Sequence, residues 1–107
     1  MRAERIVRSP RARADAGTLL ARAIVADAAG AGIGAAVLAW RIHPWSSATF
    51  TGWRHDGVVA LSGDAGTWLA SLPERELAMR DHVLADLSVT PCDDGTFVVA
   101  ALTIDRE

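Results

Sequence analysis

The chain has no lysine, no tyrosine, one cysteine and no long apolar run, and each absence removes a class of protein. Cys92 alone cannot close an internal disulfide, so a disulfide-stapled secreted scaffold is excluded and a reducing cytoplasm is the expected setting. No stretch of about 18 apolar residues is present, which argues against a helical membrane span. The first residues lack the apolar segment that a secretory signal carries behind its charges, and Glu4 speaks against an organelle transit peptide. The basic residues are all arginine. With alanine pairs such as Ala28-Ala29 and Ala35-Ala36, this fits the composition of a GC-rich bacterial genome better than a choice of guanidinium chemistry.

What is present describes an ordinary globular chain. Of 107 residues, 50% are apolar and 22% charged, a balance that argues against global disorder and allows one core but not two. A domain of this size buries roughly two-thirds of the surface its unfolded chain exposes, so pairing with a second copy is a common remedy for a small core. Charge is split along the chain. Residues 1–22 carry six arginines against Glu4 and Asp15, a net +4, and the remainder carries five arginines against eleven acids, a net −6. A basic arm can bind nucleic acid, but such binders carry a basic folded face, and this body is acidic; nucleic acid is therefore not the expected partner. The division expected is a flexible basic arm over 1–9 and a single α+β domain over 10–107.

Within that domain the spacing predicts a helix from Pro10 to about Ala29, with its effective start at Asp15 or Thr18 as N-cap. Ala16, Leu20, Ile24 and Ala28 form its apolar stripe, and Gly30, Gly32 and Gly34 stop it. Those glycines do not form a phosphate loop, because they follow a helix and open a strand, the reverse of that motif's order. Strands are expected at 35–43, with Leu38, Trp40 and Ile42 inward, and at 48–55, with a turn from Pro44 to Ser47 between them. Asp56-Gly57 signals a tight hairpin into a third strand at 58–61. A short helix over 65–72, capped by Asp64, should bury Trp68, Leu69 and Leu72. Residues 83–89 and 97–104 then form a closing hairpin around Asp93-Asp94-Gly95, the last strand apolar enough to be central. The expected fold class is α+β, two helices packed on one face of a mostly antiparallel sheet of about five strands, in the order α-β-β-β-α-β-β.

No catalytic set can be assembled from the sequence. His43, His55, His82 and Cys92 are the residue types of a zinc site, but no pair sits at the spacing of a local one, so no metal and no cofactor is expected. His55-Asp56 and Asp81-His82 resemble acid–base pairs, yet neighbours on a strand point to opposite faces. Cys92 lacks a nearby group that would activate it. The four tryptophans are more informative. Trp40, Trp53 and Trp68 suit a core, whereas Trp45, in the turn beside His43 and near Arg41, has the character of a contact residue. His43-Pro44-Trp45 resembles pterin carbinolamine dehydratases over three residues, but that family's site has a paired histidine where this chain has Ile42, so no membership follows.

These readings favour a small bacterial interaction or assembly module without catalytic activity, homo-oligomeric or bound to a protein partner. Trp45, His43, Arg41, Trp53 and His55 are its candidate binding residues. The alternative is a small enzyme or ligand-binding domain whose pocket lies between the sheet and the first helix, lined by Trp40, Trp53, His43 and His55.

Overall fold

The structure, a computed structural model, describes residues 15–106; the expected basic arm and the first turn of the expected helix lie outside them. Helix α1 spans Ala16–Gly30 and is followed by strands β1 (Gly34–Ser46) and β2 (Thr51–Ser62). A short helix α2 (Gly66–Ser71) runs into a 3-10 turn at Leu72–Glu74, and strands β3 (His82–Pro91) and β4 (Thr96–Asp105) complete the chain. The class is α+β, with one antiparallel sheet of four strands in the order β1-β2-β4-β3.

Local chemistry sets the limits of α1. The Asp15 carboxylate accepts a hydrogen bond from the Thr18 amide at 2.8 Å, satisfying one of the amides that a helix leaves unpaired at its start. At the other end Gly32 takes φ +80°, and the Ile33 and Gly32 amides bond back to the carbonyls of Ala28 and Ala29. That pair of bonds is a Schellman stop, which needs a left-handed residue best supplied by glycine. Leu20, Ile24 and Ala28 are fully buried against the sheet, and the two larger side chains each contribute roughly 1.5–3 kcal/mol by burial.

The expected hairpin at Asp56-Gly57 is absent, and with it the fifth strand: β2 runs straight through both residues. Gly57 has no positive φ; it lies opposite Trp40, and a Cβ there would fall on the six-membered ring of that indole. The glycine makes room for a tryptophan rather than for a turn. The reversal comes later than Pro44–Ser47, because β1 extends to Ser46 and the link to β2 is 47–50, where the Ser47 hydroxyl accepts from the Phe50 amide at 3.1 Å.

Two register shifts correct the strand patterns. In β1 the pairing slips between Val37 and Ala39, so Leu38 is an extra residue and 60% exposed, not inward as its alternation implied. In β3 a slip between Leu84 and Asp86 leaves Val83 exposed while Leu84 and Leu87 pack on the core. The short helix also differs in detail. Ala65, not Asp64, occupies the N-cap and makes no side-chain cap bond.

Trp68, Leu69 and Leu72 are buried as expected, and β4 is central and paired with β3. Trp68 meets Phe97 edge to face at 6.2 Å. Its indole N–H donates to the Asp27 carboxylate at 2.8 Å, and that carboxylate also pairs with Arg75. The Trp68 bond, followed by the Arg75 contact, holds the Asp27 carboxyl below its ordinary range despite partial desolvation. One acid thus ties α1 to the α2 region. The core lies between one face of the sheet and these helical segments, and among the described residues no helix covers the other face.

Candidate functional site

The covered face holds a buried polar relay. Trp40 on β1, His55 on β2 and Thr103 on β4 all project to this face. The indole N–H of Trp40 donates to His55 Nδ1 at 3.1 Å, and His55 Nε2 lies 2.9 Å from the Thr103 hydroxyl. An indole can only donate, so Nδ1 must carry a lone pair and the ring proton sits on Nε2, which donates to Thr103. His55 is 1% exposed, and burial, helped by the nearby His82, lowers its pKa to about 4. The imidazole is neutral and both its nitrogens are in use. Gly17 and Gly57 flank the same indole: a Cβ on Gly17 would lie 3.0 Å from Trp40 Cδ1.

The other candidate residues separate onto two faces. Register places Arg41 opposite Asp56 and His43 opposite Arg54, all on the open face. His43 Nε2 lies 3.9 Å from the Asp56 carboxylate, and both side chains are exposed. The two histidines expected to share a pocket therefore stand on opposite sides of the sheet. Trp53 is half-buried on the covered face, and Trp45, at the end of β1 opposite Gly52, is half-buried rather than free in a turn. The expected site is thus dispersed.

The open face carries two charged rows at mid-strand, flanked on either side by a largely apolar row. Cross-strand register builds one row of Ala39, Val58, Val98 and Thr90, and a neighbouring one of Arg41, Asp56, Ala100 and Ser88. The next row reads His43, Arg54, Leu102 and Asp86, and the last Trp45, Gly52, Ile104 and Val83. Val98 is 38% exposed and Val83 44%.

Two concavities flank α1. The first, of about 530 Å³, is an apolar groove between α1 and β1, walled by Val25, Ala29, Val37, Trp40 and Ile42. It realises the expected pocket between sheet and first helix with Trp40 as a wall, but Trp53, His43 and His55 do not line it. The second, of about 750 Å³, opens where β2 and β3 begin and β4 ends, and is lined by Arg22, Arg80, Arg106, His82, Asp105 and Trp53 among others. Here His82 Nδ1 lies 3.1 Å from the Asp105 carboxylate, whose other oxygen lies 3.5 Å from the Thr51 hydroxyl. The sequence raised His82 as a zinc-type residue and against its neighbour Asp81, but the structure pairs it with a carboxylate 23 positions away. No local signal could have announced that partner; only the β3–β4 register, which sets His82 opposite Asp105, brings them together. Among the described residues no group of three metal-ligating side chains forms. No family model, curated protein or solved structure matches this chain.

Proposed function

We propose that the chain is an assembly module that pairs with a second copy of itself through the open face of the sheet. The observation that carries this reading is the uncovered face and its self-complementary pattern. A two-fold axis lying between two facing sheets, along the strands, sets β1 of one copy over β3 of the other. Within a single register row His43 then meets Asp86 of the second copy and Arg54 meets Leu102, one strand from the same acid. In the apolar row two rows away Val58 meets Val98 in both directions. Isologous contacts require this reciprocity, and aligned sheets pack in this way about 10 Å apart. Sedimentation at micromolar concentration should give a dimer, which Val98→Asp and Asp86→Arg each convert towards monomer. Arg54→Asp combined with Asp86→Arg should recover part of the association. A monomer at high concentration, or a dimer indifferent to all three changes, overturns the proposal.

The polar cleft at the end of the sheet favours a second reading, a ligand-binding domain. A monomeric chain with saturable ligand binding would establish it in place of the first.

A further inference from the structure

We infer that the cleft where β2 and β3 begin and β4 ends binds a small organic anion, a carboxylate or phosphate monoester with a flat apolar body. This rests on the ligand-binding reading alone and stands whether or not the open face pairs.

Three arginines from three distant segments line one cavity: Arg22 from α1, Arg80 from the approach to β3 and Arg106 from just past β4. Against them stand Asp81 and Asp105, so the arginines and carboxylates of the lining sum to one net positive charge. Among the described residues none of these three guanidiniums is in an ion pair, whereas Arg75 pairs with Asp27. Asp105 is already engaged by His82 and Thr51, and Asp81 too has a partner, which leaves the arginines as the cleft's available charge. Guanidinium forks match the oxygens of carboxylate and phosphate in a bidentate way, and several converging on one cavity specify an anion.

The backbone holds two of these arms together. The Arg106 amide donates to the Asp81 carbonyl at 2.9 Å, and Asp81 takes φ +65°, a left-handed turn rare outside glycine. A bridge between Met79 and His82 closes the same turn. Arg80 and Arg106 are therefore carried on one braced corner, and Arg22 joins them in the cavity lining.

Trp53 and Leu19 supply the apolar part of the lining. Trp53 is half-buried and so offers surface to a ligand, and a flat organic body next to the anionic head would use the indole as well as the arginines. The cavity, about 750 Å³, lies within the usual range for small-molecule sites.

The test is a titration of the full chain, followed by amide shifts, with four probes: phenyl phosphate, benzoate, inorganic phosphate and phenol. Phenyl phosphate or benzoate should saturate, moving amides at 19–22, 53, 80–82 and 105–106, and the stronger of the two identifies the head group. Inorganic phosphate should bind about tenfold more weakly at the same residues, and phenol should not saturate. Arg80→Gln with Arg106→Gln should weaken phenyl phosphate by more than tenfold while the melting temperature holds, since both side chains are exposed. Trp53→Leu should erase the preference for phenyl phosphate over inorganic phosphate. The inference is overturned if no probe moves these amides at 10 mM, roughly the weak limit of a useful site. It is equally overturned if the double arginine variant binds as the parent does, or if phenol competes as well as phenyl phosphate.

Discussion

Between pH 6.5 and 4, acid should destabilise this protein chiefly through His55. The ring is buried with its proton on Nε2, donated to Thr103, and its Nδ1 lone pair filled by the Trp40 indole. Adding a second proton would set an Nδ1–H against the Trp40 N–H, two donors head to head, in a site that also disfavours charge. The unfolded chain has no such restriction and takes the proton near the ordinary value of 6.5, against about 4 in the fold. The folded pKa is the depressed one, so this stability is fully present above pH 6.5 and is lost as pH falls towards 4. A gap of that size corresponds to roughly 3 kcal/mol, a large part of what a small domain possesses. The slope owed to this one proton approaches about 1.4 kcal/mol per pH unit inside the window.

Urea unfolding of the parent and of His55→Gln, from pH 4 to pH 8, measures it. The variant should be less stable at pH 7, because Trp40 and Thr103 lose a buried partner, but its stability should fall less steeply between pH 6.5 and 4. Nitrogen shifts of the His55 ring should report an Nε2–H tautomer at neutral pH and a midpoint near 4. A midpoint near 6.5, or a variant with the parent's slope, refutes the reasoning. All other ionisable groups are common to the two proteins, so the comparison removes their contribution.

Two further outcomes follow from packing. Gly57→Ala should destabilise by about 3 kcal/mol or more, because its Cβ would fall on the Trp40 ring, whereas Gly30→Ala, where a Cβ meets nothing within 4 Å, should be close to neutral in the same thermal melts. Trp68→Ala should cost roughly 3–5 kcal/mol through lost burial and a cavity. Trp45→Ala should cost much less folding stability and weaken self-association in sedimentation, and an equal loss of folding stability for the two would show Trp45 to be core.

The elements that the sequence announced were those with local causes. The Asp15 cap, the Gly32 stop and the Asp94-Gly95 turn all depend on residues within a few positions, and all stand where the chain chemistry put them. The failure at Asp56-Gly57 has a non-local cause. The same dipeptide that favours a hairpin is required in mid-strand by an indole 17 positions earlier, and no local pattern distinguishes the two uses. The bulges at Leu38 and near Asp86 mislead for a related reason: one inserted residue inverts which side chains face inward, and alternation alone cannot locate the insertion. Of the five residues first singled out, Trp53 lines the polar cleft, Arg41 and His43 stand on the open face, Trp45 closes the end of β1, and His55 is enclosed. The cleft arginines gave no signal because Arg22, Arg80 and Arg106 lie more than 25 positions apart, each in a segment that reads as solvated surface.

Topology explains why the two candidate surfaces are independent. In the order β1-β2-β4-β3, with every neighbour antiparallel, the beginnings of β2 and β3 and the end of β4 fall on one edge. Strand ends are where backbone pairing gives out and charged side chains are tolerated, so the cleft collects its arginines there. The Val58–Val98 row of the open face lies towards the opposite end of the strands from the cleft, and on the opposite side from α1. The two therefore share β2, β3 and β4 but not the side chains that matter to each. Removing Arg80 and Arg106 should leave sedimentation unaltered, and Val98→Asp should leave anion binding unaltered. If either change moved both readouts, the two surfaces would be a single site, with the second copy completing the cleft.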